Sequence, residues 1–250
     1  MRIAGHTYPY RDRPLGDALD ELAGLQFSLV EVWLGHAADG PDGVARALGQ
    51  RGLEATAVSA GGFYREDSDA VPRTIELARA LGAPVIVACV APEVLESVVE
   101  RLPADITLCV ENHWDQSLAT SHEVSSVLAA HPGIAACVDT GHAILAGEPP
   151  ELFVASLGDR VGHVHLKDAA FPPLRERLMG RRLRTRLLPR PADVFPGAGA
   201  LDVGRVRRTL EDNGYAGAVS LEHEGAAPSA GLELLLGEWM SSDRAAVARG

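Results

Sequence analysis

Residues 162–168 read GHVHLKD. Val161, Val164 and Leu166 have the character of a buried β-strand, yet His163, His165, Lys167 and Asp168 stand among them. Polar groups in such a place cost free energy unless something partners them. Alternate residues of a strand share a face. If His165 points inward, so do His163 and Lys167. The stretch reads as a strand whose inner face is equipped for binding as well as for packing.

Seven further runs of this kind flank it: RIAGH (2–6), SLVEVWL (28–34), LEATAVS (53–59), APVIVACV (83–90), DITLCVEN (105–112), GIAACVDT (133–140) and GAVSLEH (217–223). Most are continuously apolar, as expected for parallel strands covered on both faces. The segments between them, such as LGDALDELAGL and SDAVPRTIELARALGA, place apolar residues three or four apart, the helical period. In LDVGRVRRTLEDNGY, Asp202 is the expected N-cap and Gly214 the C-terminal stop. Eight β/α units in 250 residues predict an α/β protein, a single (β/α)₈ TIM barrel spanning 1–250. An open doubly wound sheet is the alternative, weakened because no GxGxxG follows the first strand.

The composition, 46% hydrophobic and 23% charged, suits a sizeable core, and the net charge of −11 disfavours a duplex nucleic-acid binder. Cys89, Cys109 and Cys137 each lie in an apolar run and read as buried reduced thiols. MRIAGHTYPYRDRP lacks the apolar core of a signal peptide, and no run approaches the roughly 18 apolar residues of a membrane span. The expectation is a soluble, cytoplasmic protein with neither membrane nor nucleic acid as partner. One segment breaks the rhythm: about 169–200 forms a long loop or lid with seven arginines, at 175, 177, 181, 182, 184, 186 and 190. It reads either as a lid that grips a substrate phosphate or carboxylate, or as an amphipathic helix packed on the barrel or on a second subunit of a homo-oligomer.

Chemistry in such a barrel sits at the C-terminal mouth. There four successive strands finish in Glu111-Asn112-His113, Asp139-Thr140-Gly141-His142, His165 with Lys167, and Glu222-His223-Glu224. Alternation puts Cys109 below Glu111, Cys137 below Asp139, and Ser220 below Glu222. Small residues beneath carboxylates make a cup for a divalent cation. Three carboxylates and one imidazole fit Mn²⁺, Mg²⁺ or Zn²⁺ and argue against a soft thiolate site. Taken singly, each residue has an ordinary explanation: a solvated loop Glu, a turn-forming or N-capping Asp, a hydrogen-bonded core His. Their equivalent heights on four adjacent strands carry the metal reading.

The stretches VDTGHAILAGEPPELFVASLGDRVGHVHLKD (138–168) and FPGAGALDVGRVRRTLEDNGYAGAVSLEHEG (195–225) resemble the xylose-isomerase-like barrel superfamily of sugar phosphate isomerases and epimerases. The likeness is strongest over about 105–225. It implies that Glu111, Asp139, His165 and Glu222 hold one divalent metal and that His142 contacts substrate. It also implies that Glu111 and Glu222 exchange a proton with the carbon beside a carbonyl, through a metal-stabilised enediolate. The activity so implied is an isomerase or epimerase of a small sugar, sugar phosphate or polyol. A dehydratase or lyase of the inosose type would use the same ligands. A DNA-repair endonuclease acting at abasic sites is less favoured, because the early strands offer little beyond His6, Glu31 and His36. Lys167 can polarise a carbonyl, hold an anion, or pair with Asp168 or another carboxylate. His163 reads as making a structural hydrogen bond, and Asn112 and His113 as orienters of Glu111 or as caps of the loop. Trp33, Tyr64 and Trp114, with His6 and His36, are candidates to line a polyol pocket. Glu31 is a weaker site candidate, and Glu224 competes with Glu222 for the metal.

Overall fold

The computed structural model describes residues 1–65, 68–179, 183 and 194–247. Eight parallel strands close into a barrel in sequence order: β1 Arg2–His6, β2 Leu29–Trp33, β3 Glu54–Phe63, β4 Val85–Val90, β5 Thr107–Glu111, β6 Ala135–Asp139, β7 Val161–Leu166 and β8 Ala218–Leu221. Each strand coincides with one of the eight expected runs, although β3 continues four residues past the expected end at Ser59, to Phe63. The single (β/α)₈ barrel is therefore the fold, and the open sheet is excluded by the β1–β8 pairing.

Alternation along these strands sorts the side chains into two layers. Val30, Val58, Ile86, Leu108, Val138, Val164 and Val219 are buried against the surrounding helices. Burying each such side chain stabilises the fold by roughly 1.5–3 kcal/mol. The opposite faces of β3 to β6 fill the barrel with a small separate cluster, Ala57, Val87, Cys109 and Cys137. All three cysteines are free thiols and buried. Gly162 belongs to this layer for a steric reason: a Cβ there would lie 2.7 Å from both Cys109 Sγ and Ala135 Cβ. The small plug leaves room above it, and the larger polar residues occupy that room.

The helices follow the expected pattern. Asp202 caps Val203–Asp212 by accepting from Arg205 N at 2.8 Å, and Gly214 closes that helix with φ +71°. Two helices were not anticipated as separate elements. Thr140–Ala146 starts directly at the end of β6, and Pro228–Val247 follows β8. No helix among the described residues is long and apolar enough to cross a membrane. In the long connection after β7, a short helix spans Leu174–Arg177. Arg181, Arg182, Arg184, Arg186 and Arg190 lie outside the described residues.

Candidate metal centre

Strand register brings Asp139 level with His165, and His165 level with Ser220. The inward faces of β5 to β8 then meet at one atom, His165 Nδ1. Glu111 Oε1 lies 2.8 Å from it, Glu222 Oε2 3.6 Å and Asp139 Oδ2 3.9 Å. The structure thus brings Glu111, Asp139, His165 and Glu222 together, the four residues expected as metal ligands.

Beneath them sits Glu31, fully buried on β2. His165 Nε2 donates to both of its oxygens at 3.1 Å. His163 Nε2 lies 2.8 Å from Glu31 Oε2 and 3.0 Å from Ser220 Oγ. Glu31 is therefore more than the weak candidate its sequence context suggests. It fixes the tautomer and orientation of His165 from below, the usual arrangement behind a metal-bound imidazole. Burial would raise its carboxyl, but the imidazoles of His165, His6 and His163 hold it well below the carboxylate range. His163 takes the structural role expected of it.

Asp139 serves two elements. Its Oδ1 accepts from His142 N at 2.7 Å and so caps Thr140–Ala146. Its Oδ2 is buried without a hydrogen-bond partner. Asn112 bonds the Asp139 main chain in both directions, N–H to Oδ1 at 2.8 Å and Nδ2 to the carbonyl at 3.0 Å. Asn112 therefore orients Asp139, a correction to its expected service to Glu111. Burial pushes the Asp139 carboxyl up to about 7, Glu222 and Glu111 adding to it against the opposing charge of Lys167. Burial disfavours charge on His165, yet the groups around it, Glu31 and Glu111 among them, raise it well above its ordinary value. Both shifts retain protons in a crowd of carboxylates. A divalent cation relieves the same crowding, and the orphaned Asp139 Oδ2 supplies a ready ligand. The residues fit a hard cation.

Above the cluster opens a cavity of about 700 Å³, lined by Trp33, Tyr64, Trp114, His142, Lys167 and Arg11 among others. Lys167 Nζ is 3.8 Å from Glu222 Oε1 and pairs closely with Glu224 Oε1. Its partner is not Asp168, whose carboxylate accepts four main-chain N–H groups, from Ala169, Gly197, Gly199 and Leu201. Glu224, also 3.5 Å from Arg11 Nη1, belongs to this rim, which leaves Glu222 to the cluster. His142 lies over His113 with ring centroids 3.8 Å apart. Burial, with Lys167 and His113, depresses His142 well below its usual value, which keeps it neutral. His36 does not line the cavity; its Nε2 turns to the carbonyls of Tyr10 and Arg13 at 3.3 and 3.2 Å. Arg177 does not line it either, and its guanidinium sits 5.1 Å over the Phe171 ring.

Comparison with known proteins identifies the family of the barrel. A family profile described as "Xylose isomerase-like TIM barrel" matches residues 19–240. Inosose dehydratase of Erwinia tasmaniensis is 29% identical over 123 residues, 48% of this chain and 41% of the relative. Inosose dehydratase of Bacillus velezensis is 31% identical over 122 residues, again 48% of this chain and 41% of the relative. The matched stretch thus spans less than half the length of these curated relatives. A solved structure titled "D-tagatose 3-epimerase-like protein" superposes with a TM-score of 0.74 at 16% identity, covering 99% of this chain and 100% of the other. At that identity the likeness is one of fold.

Proposed function

The chain belongs to the xylose isomerase-like TIM barrel family, and from that premise we propose a divalent-metal-dependent isomerase or epimerase of a small sugar, sugar phosphate or polyol. One observation carries the reading: three carboxylates on β5, β6 and the end of β8 flank one imidazole nitrogen on β7 within 3.9 Å. Glu111, Asp139, His165 and Glu222 would hold the ion, with Mn²⁺, Mg²⁺ or Zn²⁺ matching the donors. When bound, the ion polarises a substrate carbonyl and acidifies the neighbouring C–H.

The chain's own residues do the rest. Glu111 and Glu222 are the acid–base pair, one removing the proton beside the carbonyl and the other returning it. Return to the same carbon from the other side inverts it. Return to the adjacent carbon exchanges aldose and ketose. Lys167, drawn towards Glu222 and Glu224, holds a positive charge at the rim where negative charge develops on oxygen. Neutral His142 offers its ring to a substrate hydroxyl. Trp33, Tyr64 and Trp114 line the walls of the cavity in which the substrate would sit.

Dehydration is the second reading, favoured because the sequence relatives are inosose dehydratases. It shares proton removal and diverges when a β-hydroxyl leaves. The test is to load the metal-free protein with Mn²⁺ and incubate it in D₂O with a panel of ketoses and inososes, read by NMR. Deuterium beside the carbonyl, with the carbon skeleton hydroxylated as before, supports the isomerase or epimerase. Loss of water supports the dehydratase. Absence of both across the panel overturns the proposal. Glu111→Gln and Glu222→Gln are expected to lower turnover by about 10²–10⁴-fold with the circular dichroism of the barrel unchanged.

A further inference from the structure

We infer that His6 is a fifth protein ligand of the cation, binding through Nδ1. The inference rests on reading the cluster as a cation site, and it adds a residue from the first strand of the barrel to ligands drawn from the last four.

His6 ends β1 and is 3% exposed. Its two ring nitrogens are treated differently. Nε2 lies 2.9 Å from Ser59 Oγ. Nδ1 is buried and has no hydrogen-bond partner. It faces the cluster, 3.5 Å from Glu222 Oε2, and the ring centroid stands 5.0 Å from that of His165. An orphaned Nδ1 is not by itself diagnostic, since that of His36 is orphaned too; the one on His6 is set apart by its place beside Glu222 and His165.

Among the described residues, three sets of donors share His165, and within each set the donor atoms lie within 4.8 Å of one another. One adds the buried Glu31 and His163 beneath it. The other two contain the carboxylates read as ligands: Glu111, Asp139 and His165 in the first, His6, His165 and Glu222 in the second. Each of these two also contains one buried atom lacking a partner, Asp139 Oδ2 in the first and His6 Nδ1 in the second. One ion shared by the two sets satisfies both orphans. When Nε2–H donates to Ser59, the lone pair rests on Nδ1, the form a metal requires. The chemical consequence is selectivity. A second imidazole beside three carboxylates moves preference away from Mg²⁺ and towards Mn²⁺, Co²⁺ and Zn²⁺.

The experiment counts nitrogens. Metal-free protein is loaded with Mn²⁺ and examined by pulsed electron paramagnetic resonance for ¹⁴N couplings. Two inequivalent imidazole nitrogens are expected in the wild type and in Ser59→Ala, which keeps the ring and removes only its hydroxyl neighbour. One is expected in His6→Asn. Calorimetric titration should show Zn²⁺ and Mn²⁺ affinities falling by about tenfold or more in His6→Asn, with a smaller loss for Mg²⁺. A single coupled imidazole in the wild type overturns the assignment and leaves the four-residue site standing. Failure of the wild type to bind any of these ions overturns both. The wild-type and Ser59→Ala spectra decide the question even where His6→Asn does not fold.

Discussion

Cys89 on β4 holds the oxygen of Glu111 that His165 leaves free: Cys89 Sγ is 3.4 Å from Glu111 Oε2. Glu111 Oε1 points the other way, 2.8 Å from His165 Nδ1. Burial and the neighbouring charge of Glu111 push the Cys89 thiol well above its ordinary range, so it stays a protonated donor. The expected outcome is that Cys89→Ala frees the carboxylate to rotate and weakens metal binding by about tenfold. Cys89→Ser, which still donates, recovers most of that loss. Competition against a chelating dye measures both, and equal affinities for the Ala variant and the wild type would refute the assignment.

Glu31 predicts a stability effect separate from turnover. It is fully buried and accepts from His163 at 2.8 Å and His165 at 3.1 Å. Glu31→Gln keeps the shape, removes the charge and sets an amide N–H against one of the two imidazoles. Breaking one side of a buried ion pair costs about 3–5 kcal/mol, so urea denaturation of the metal-free variant should show a loss of that size. A loss near zero would mean that Glu31 is protonated in the native protein.

The barrel and the convergence of the four inward-facing residues proposed as ligands were legible because both depend on local period. A strand repeats every two residues, so the parity of Glu111, Asp139, His165 and Glu222 could be read from the chain. Contacts across the barrel have no such signature. Glu31 and His163 are separated by 132 residues, and only closure of the barrel sets one beneath the other. The same holds for Lys167, whose adjacent Asp168 was a plausible partner by sequence but is consumed by loop amides, while Glu224, 57 residues away, takes its place. Thr140–Ala146 escaped notice as a separate helix because DTGH reads equally well as a turn, and only the Asp139 cap shows that a helix starts there.

Asp168 should govern the loop that returns from the long insertion. Its Oδ1 accepts from Ala169 N at 2.8 Å and Leu201 N at 3.0 Å, and its Oδ2 from Gly197 N at 2.9 Å and Gly199 N at 3.0 Å. Glycine at 199 is required, since a Cβ there would lie 2.1 Å from Asp168 Oδ1. Hydrogen bonds to a charged group contribute roughly 1.5–3 kcal/mol each. Asp168→Ala should therefore speed amide exchange at 197, 199 and 201 by at least about tenfold. Exchange in β1 to β6 should change far less. Uniform acceleration throughout the barrel would show instead that Asp168 supports the whole fold.

Cys109 sets an alkaline limit on stability. Burial pushes its thiol up to about 12, whereas an unfolded chain ionises near a pKa of about 8.5. Above that value the unfolded state has lost a proton that the folded state retains, so stability falls as pH rises towards 12 and is unaffected below about 8. One such group costs about 1.4 kcal/mol per pH unit within the window, or about 2 kcal/mol between pH 8 and pH 10. Cys109→Ala removes this contribution and only a small volume from the Ala57, Val87 and Cys137 layer. Urea unfolding at pH 8, 9 and 10 should give the variant a lower stability at pH 8 and a shallower decline thereafter, the two curves converging by about 2 kcal/mol. Parallel curves would mean that the thiol ionises as readily in the barrel as in the unfolded chain.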